Sequence, residues 1–274
     1  MRGTTLDHAQ NFAMGRWLLV LAYLTSFVGC ALGLACTLQA RYAATERARL
    51  SWLGLASVSI GGVGIWVMHF VAMLGFSTPG MPVRFDISRT ILSAILAIVA
   101  VFLGLLVVGV RGNGFTWWRL GIGGLIMGLA VNLMHYTGMW ALQIKGTIDY
   151  NGVLVALSIV IAIVAATAAL WFAVVLDKLI PRVIAGLIMA VAVTGMHYTG
   201  MAAMRMTMDM NAPDPPGVEV FSFLFPVFVL AALAMAVPIC AVLMAPALSE
   251  RKPSEQPQDE AVSEDDQPVA YSHS

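Results

Sequence analysis

Three histidines in this chain lie inside long apolar runs, each directly after a methionine: Met68-His69-Phe70-Val71, Met134-His135-Tyr136-Thr137 and Met196-His197-Tyr198-Thr199. An ionisable side chain is costly to keep in hydrocarbon, so an intramembrane histidine is a functional candidate by default. Aligned on the histidine, the copies share a register: Met68, Met134 and Met196 at position −1, Met73, Met139 and Met201 at +4, and Ala72, Gly138 and Gly200 at +3. Position −7 is Gly62, Gly128 or Ala190. On an α-helix, −7, 0 and +4 lie within about 60° of one another, so small residue, imidazole and thioether form one stripe. The −1 methionines point about 100° away. Gly124 with Gly128, and Gly186 with Ala190, continue the stripe as small-xxx-small pairs that let membrane helices approach closely. The histidine face is therefore expected to point into a bundle, with the +3 residue clearing space beside the ring.

Neutral imidazole suits copper, zinc, iron and nickel, whereas methionine sulfur selects Cu(I) over hard ions. Copper is the expected metal. Its candidate ligands are His69, His135 and His197 with Met73, Met139 and Met201, and also Met68, Met134 and Met196, for which flexible packing is an equal reading. No carboxylate falls in the three motif segments, which argues against a di-iron site. No nucleophile and base pair or carboxylate dyad is evident either, so an enzyme is not expected. Asn132 and Thr194, both at −3, are candidates for supporting the site or for joining helices. Trp66 holds that position in the first copy, which implies that the role is not threefold. Tyr136 and Tyr198 are read either as hydrogen-bond partners of the site or as interfacial aromatics. The alternating run Met204-Arg205-Met206-Thr207-Met208-Asp209-Met210 is expected where the chain leaves the membrane, placed to collect Cu(I).

The elements that must position these residues are membrane helices. Hydrophobic residues make up 59% of the 274, charged residues 11% and mean hydropathy is +0.85, far from the roughly 25% charged of a soluble domain. The chain is an all-α, polytopic membrane protein in expectation, with the lipid bilayer as its surroundings. A formal net charge of zero leaves no basic face for nucleic acid. Runs near 20 residues predict seven transmembrane helices over 17–38, 52–76, 90–110, 120–142, 152–176, 183–205 and 220–244. The motifs, 66 and then 62 residues apart, fall on the second, fourth and sixth, so the internal repeat is two helices long. Nine of the fifteen basic residues lie on one side, which by the positive-inside rule predicts the N-terminus outside and the C-terminus inside. The histidines then belong near the outer face, and Cys30, Cys36 and Cys240 away from their layer. The expected organisation is a short extracytoplasmic N-terminus over 1–16, a membrane domain over 17–245 and a disordered acidic cytoplasmic tail over 246–274.

The two strict copies, Met134-His135-Tyr136-Thr137-Gly138-Met139 and Met196-His197-Tyr198-Thr199-Gly200-Met201, with the looser Met68-His69-Phe70-Val71-Ala72-Met73, resemble the bacterial MHYT domain, named for that tetrapeptide. The resemblance covers about residues 12 to 245. It implies an integral sensor of the bacterial cytoplasmic membrane that binds copper through His69, His135, His197, Met68, Met134 and Met196 and responds to O2, CO, NO or copper itself. The chain departs from the pattern at Phe70 and Val71. Many relatives carry cyclic-di-GMP turnover or kinase modules after the membrane part, where only about thirty polar residues follow here, so the expected output is an unknown cytoplasmic signalling partner. The alternative is a copper or proton transporter, which would need polar or soft groups continuing below the histidines.

Overall fold

In a computed structural model, residues 16–75, 83–109, 116–209 and 211–245 are described. The expected N-terminal segment, except Arg16, and the acidic tail lie outside them, as does Met210. Seven helices are long and apolar enough to cross a membrane: α1 (Arg16–Arg41), α2 (Glu46–Met73), α3 (Ile87–Val108), α4 (Trp117–Ala141), α5 (Gly152–Val175), α6 (Leu179–Ala203) and α7 (Val220–Met244). The protein is a multi-pass, all-α membrane protein. Helix starts follow local chemistry: Thr45 accepts from the Ala48 N–H, Asp86 from Arg89 N–H, and Asn151 from the Val153 and Leu154 N–H groups.

α2 begins at Glu46, six residues before the expected 52, so a motif helix does carry a carboxylate. It sits at the end far from His69. α2 also departs from regular α geometry, because Val58–Val67 is a π-helix that ends at Met68. Two neighbours crowd this stretch. A Cβ on Gly61 would lie 2.5 Å from the Ala97 carbonyl oxygen of α3, and one on Gly64 would lie 3.2 Å from the Cys30 sulfur of α1. The wide π turn and three glycines let α2 contact both neighbours closely, and α2 is the most enclosed of the spans.

The helices close a ring in which each of α1 to α6 packs against its sequence neighbours and α6 returns to α1. Gly124 of α4 faces Thr167 of α5, and Gly186, at the same register in α6, faces Ala31 of α1. α1 therefore takes the return-helix place beside α6 that α5 takes beside α4. α7 stands outside the ring against α1 and the π stretch of α2, and is the least enclosed span. The small-residue stripe thus serves helix pairs within the ring.

Short strands cover the end of the bundle where α2, α4 and α6 finish. β1 (Arg84–Phe85) lies between β2 (Leu142–Gln143) and β5 (Val218–Glu219), both antiparallel to it. β3 (Gly146–Tyr150) pairs with β4 (Met204–Met208), placing Tyr150 opposite Met204, Ile148 opposite Met206 and Asp149 opposite Arg205. The methionine run leaving α6 is therefore a strand, and its period-two alternation is that of a strand face. Met204 is buried and Met206 packs on the apolar cluster beneath, so these two face inward on the cap.

Candidate metal centre

His69, His135 and His197 come together. Each is no more than 1% exposed, and their rings meet edge to face with centroids 4.8–5.1 Å apart. Their Nδ1 atoms converge: His69 Nδ1 lies 3.0 Å from His197 Nδ1 and 3.2 Å from His135 Nδ1. Among the described residues this is the group of His, Cys, Asp and Glu side chains arranged to hold a metal, with ligand atoms within 4.8 Å of one another. Cys30 and Cys36 are buried elsewhere, and Cys240 is exposed.

Nitrogen lone pairs this close repel unless something positive lies between them. A neutral imidazole has one proton, on one nitrogen. A proton on His69 Nδ1 could be shared with both partners, and His135 and His197 would then carry theirs on Nε2. The three Nε2 atoms are buried and have no hydrogen-bond partner among the described residues. A cation at the focus would satisfy all three Nδ1 lone pairs at once. Three nitrogens about 2.0 Å from one ion sit about 3.3 Å apart at tetrahedral angles and about 3.5 Å apart in a plane, so the observed separations need only a small retreat of the rings. The residues fit a metal.

The +3 glycines act across helices. A Cβ on Gly138 would stand 2.5 Å from Nε2 of His69, and one on Gly200 would stand closer still to Nε2 of His135. Each glycine of α4 and α6 therefore makes room for the imidazole of the preceding motif helix and not, as expected, for the ring on its own helix.

The −3 residues join helices. Trp66 Nε1 donates to Ser93 Oγ at 2.9 Å, and Asn132 Nδ2 donates to Ser158 Oγ at 3.1 Å. Both serines are the seventh residue of the following helix, and both donate to the carbonyl three residues before, of Thr90 or Val155. Trp66 and Asn132 thus share one role, and Trp66 is not the exception among the three copies. The third copy breaks it, for Thr194 Oγ1 is buried with no partner among the described residues. Tyr136 also reaches Ser158, at 3.1 Å, rather than the imidazoles, and its ring lies edge-on to His135. Tyr198 lies edge-on to His197.

The methionines form layers around the imidazoles. Met68, Met134 and Met196 belong to the main core, whereas Met73 and Met139 lie with Phe70, Phe85 and Met204 in a second cluster at the histidine end, against which Met201 packs. One turn below the histidines, at −4, stand Ile65, Val131 and Val193. They line a small apolar cavity with Met127, Met189 and Met196.

A family model described as "Bacterial signalling protein N terminal repeat", MHYT, matches residues 62–121 and 128–186. The chain belongs to the MHYT family. It is similar to the bifunctional diguanylate cyclase/cyclic di-GMP phosphodiesterase MucR of Pseudomonas aeruginosa, 40% identical over 72% of this chain and 28% of that protein. It is also similar to the cyclic di-GMP phosphodiesterase NbdA of the same organism, 34% identical over 59% of this chain and 21% of that protein. The signaling protein YkoW of Bacillus subtilis is 30% identical over 76% of this chain and 27% of its own length. The chain spans less than a third of these relatives, and what it shares with them is the MHYT sensor part. No solved structure matches it.

Proposed function

We propose that this MHYT domain is a copper-dependent membrane sensor whose metal is held by His69, His135 and His197. The observation that carries the reading is the convergence of three buried Nδ1 atoms, two pairs of them at 3.0 and 3.2 Å. Copper is favoured over zinc or iron by the donors in the adjoining layers, Met73, Met139 and Met201 beyond the imidazoles and Met68, Met134 and Met196 before them. When bound, the ion supplies a site that a diatomic gas such as O2, CO or NO can ligate, or its own arrival is the signal. The apolar cavity beneath is dry by character and suits a small apolar molecule better than water.

The aliphatic residues Ile65, Val131 and Val193 beneath the imidazoles support a one-sided site over a copper or proton path, and the polar atoms of the adjoining Trp66 and Asn132 are taken up by Ser93 and Ser158 of neighbouring helices. The output is read by analogy with the relatives: a module that makes or degrades cyclic di-GMP is the partner class, reached from the cytoplasmic side. The protein's own part is to hold three imidazoles in register, exclude water and pass a shift in that register to the helices around it.

The test is the metal content of protein purified from copper-replete cells, beside the His69→Ala, His135→Ala, His197→Ala triple variant. Stoichiometric copper in the first and its loss in the second is expected; a copper-free wild type overturns the reading.

A further inference from the structure

The second apolar cluster has an unusual membership. Five methionines from four elements meet there: Met73 at the end of α2, Met139 near the end of α4, Met201 near the end of α6, and Met204 and Met206 of β4. Met73, Met139 and Met204 are buried, while Met201 and Met206 are half-buried at its edge. Three of the five sit at +4, one turn beyond the histidines on each motif helix. The other two project on one strand face, with Arg205 and Thr207 on the opposite face, and Asp149 lies across from Arg205 and away from the cluster.

We infer that this cluster is a second soft-metal site, an anteroom in which thioethers bind Cu(I) and from which the ion passes to the histidines. The inference rests on the copper reading above. A cage of uncharged thioethers offers nothing to a hard divalent ion, which needs oxygen, but matches a soft monovalent one. The remaining buried members, Phe70, Phe85, Ala141 and Leu142, are apolar and bring no competing donor. Position supplies the second argument. Met206 is half-buried, Met73 and Met139 are buried one helical turn beyond the histidines in register, and methionine's three rotatable bonds let sulfur swing within the cluster they share. Passage is an exchange of sulfur for nitrogen ligands on one ion; no electron moves.

The probe is Cu(I), with Ag(I) as its redox-inert substitute, added to the full chain in lipid nanodiscs and followed by X-ray absorption and by rapid-mixing loading from a chelator. Two variants are compared: Met73→Leu, Met139→Leu, Met201→Leu, Met204→Leu, Met206→Leu together, which conserves volume, and the histidine triple. The expected results are loss of the sulfur-ligated ion and slower loading of the histidines in the first, and a sulfur-only ion in the second. A five-leucine protein that keeps both the sulfur signal and the loading rate overturns the anteroom, as does a histidine variant with a native melting profile and no Ag(I) uptake. The milder pair Met204→Leu, Met206→Leu must slow loading even where the larger set unfolds. Metal on nitrogen but never on sulfur defeats this inference and leaves the sensor reading; metal on sulfur with histidines that stay vacant overturns the passage and the sensor reading together.

Discussion

A hydrogen atom at two positions decides whether three imidazoles can meet. Gly138 and Gly200 lie against Nε2 of His69 and His135, so Gly138→Ala and Gly200→Ala must push a buried ring aside. Each should destabilise by about 1–3 kcal/mol and weaken metal retention, whereas Gly195→Ala, with nothing within 4 Å, should leave both unchanged. Thermal unfolding and copper content measure the contrast. Thr194 makes a subtler case. Its buried hydroxyl lacks a partner, so Thr194→Val should be neutral or stabilising, while Asn132→Leu breaks a hydrogen bond to Ser158 and costs about 1 kcal/mol or more. Equal losses in the two variants would refute the assignment of Thr194 as the broken copy.

Serines at one register in alternate helices hold the motif helices to their neighbours. Ser158→Ala would strip the partner from both Asn132 and Tyr136, at a cost of about 1–3 kcal/mol. Ser93→Ala should be the milder change, because a single donor, Trp66 Nε1, is lost. Denaturant or heat titration ranks them. The cap of α3 adds a pH dependence. The Ser88 hydroxyl, then the Arg89 N–H, hold the Asp86 carboxyl below its ordinary range. Its stabilisation is complete above the unfolded pKa and fades as pH falls through the lowered folded value. Asp86→Asn should therefore flatten the acid limb of the stability profile, and an unchanged limb would count against the cap.

The molecule as a whole is a six-helix ring around a buried imidazole focus, with α7 applied outside. Its orientation in the membrane is an expectation from sequence: by the positive-inside rule, the nine basic residues assigned to the inner loops and tail predict the N-terminus outside and the C-terminus inside. A reporter that is active only in the cytoplasm should work when fused after Ser274, and one active only outside should fail there. The reverse pattern would put the histidines at the inner face and remove the rationale for sensing from outside.

Much of this was legible in one dimension because hydrocarbon imposes simple rules. Backbone groups must be satisfied within each span, so apolar runs near 20 residues read as helices, and all seven are present. A histidine repeated at one register on alternate helices must reach one depth, and the three do meet. The +3 glycines and −3 polar residues stood out by the same alignment. Their partners did not, because which ring lies over Gly138 and which serine accepts from Trp66 depend on the order of helices around the ring. Likewise the π stretch of α2 arises where α1 and α3 both press on Gly61 and Gly64, and Met204 and Met206 turn inward only because β3 pairs with β4. Residue type and spacing determined the membrane class, the seven spans and the common register of the three histidines. Contacts between segments far apart in the chain decided which atoms converge, since a periodic pattern specifies the face of a helix but not the neighbour that the face meets.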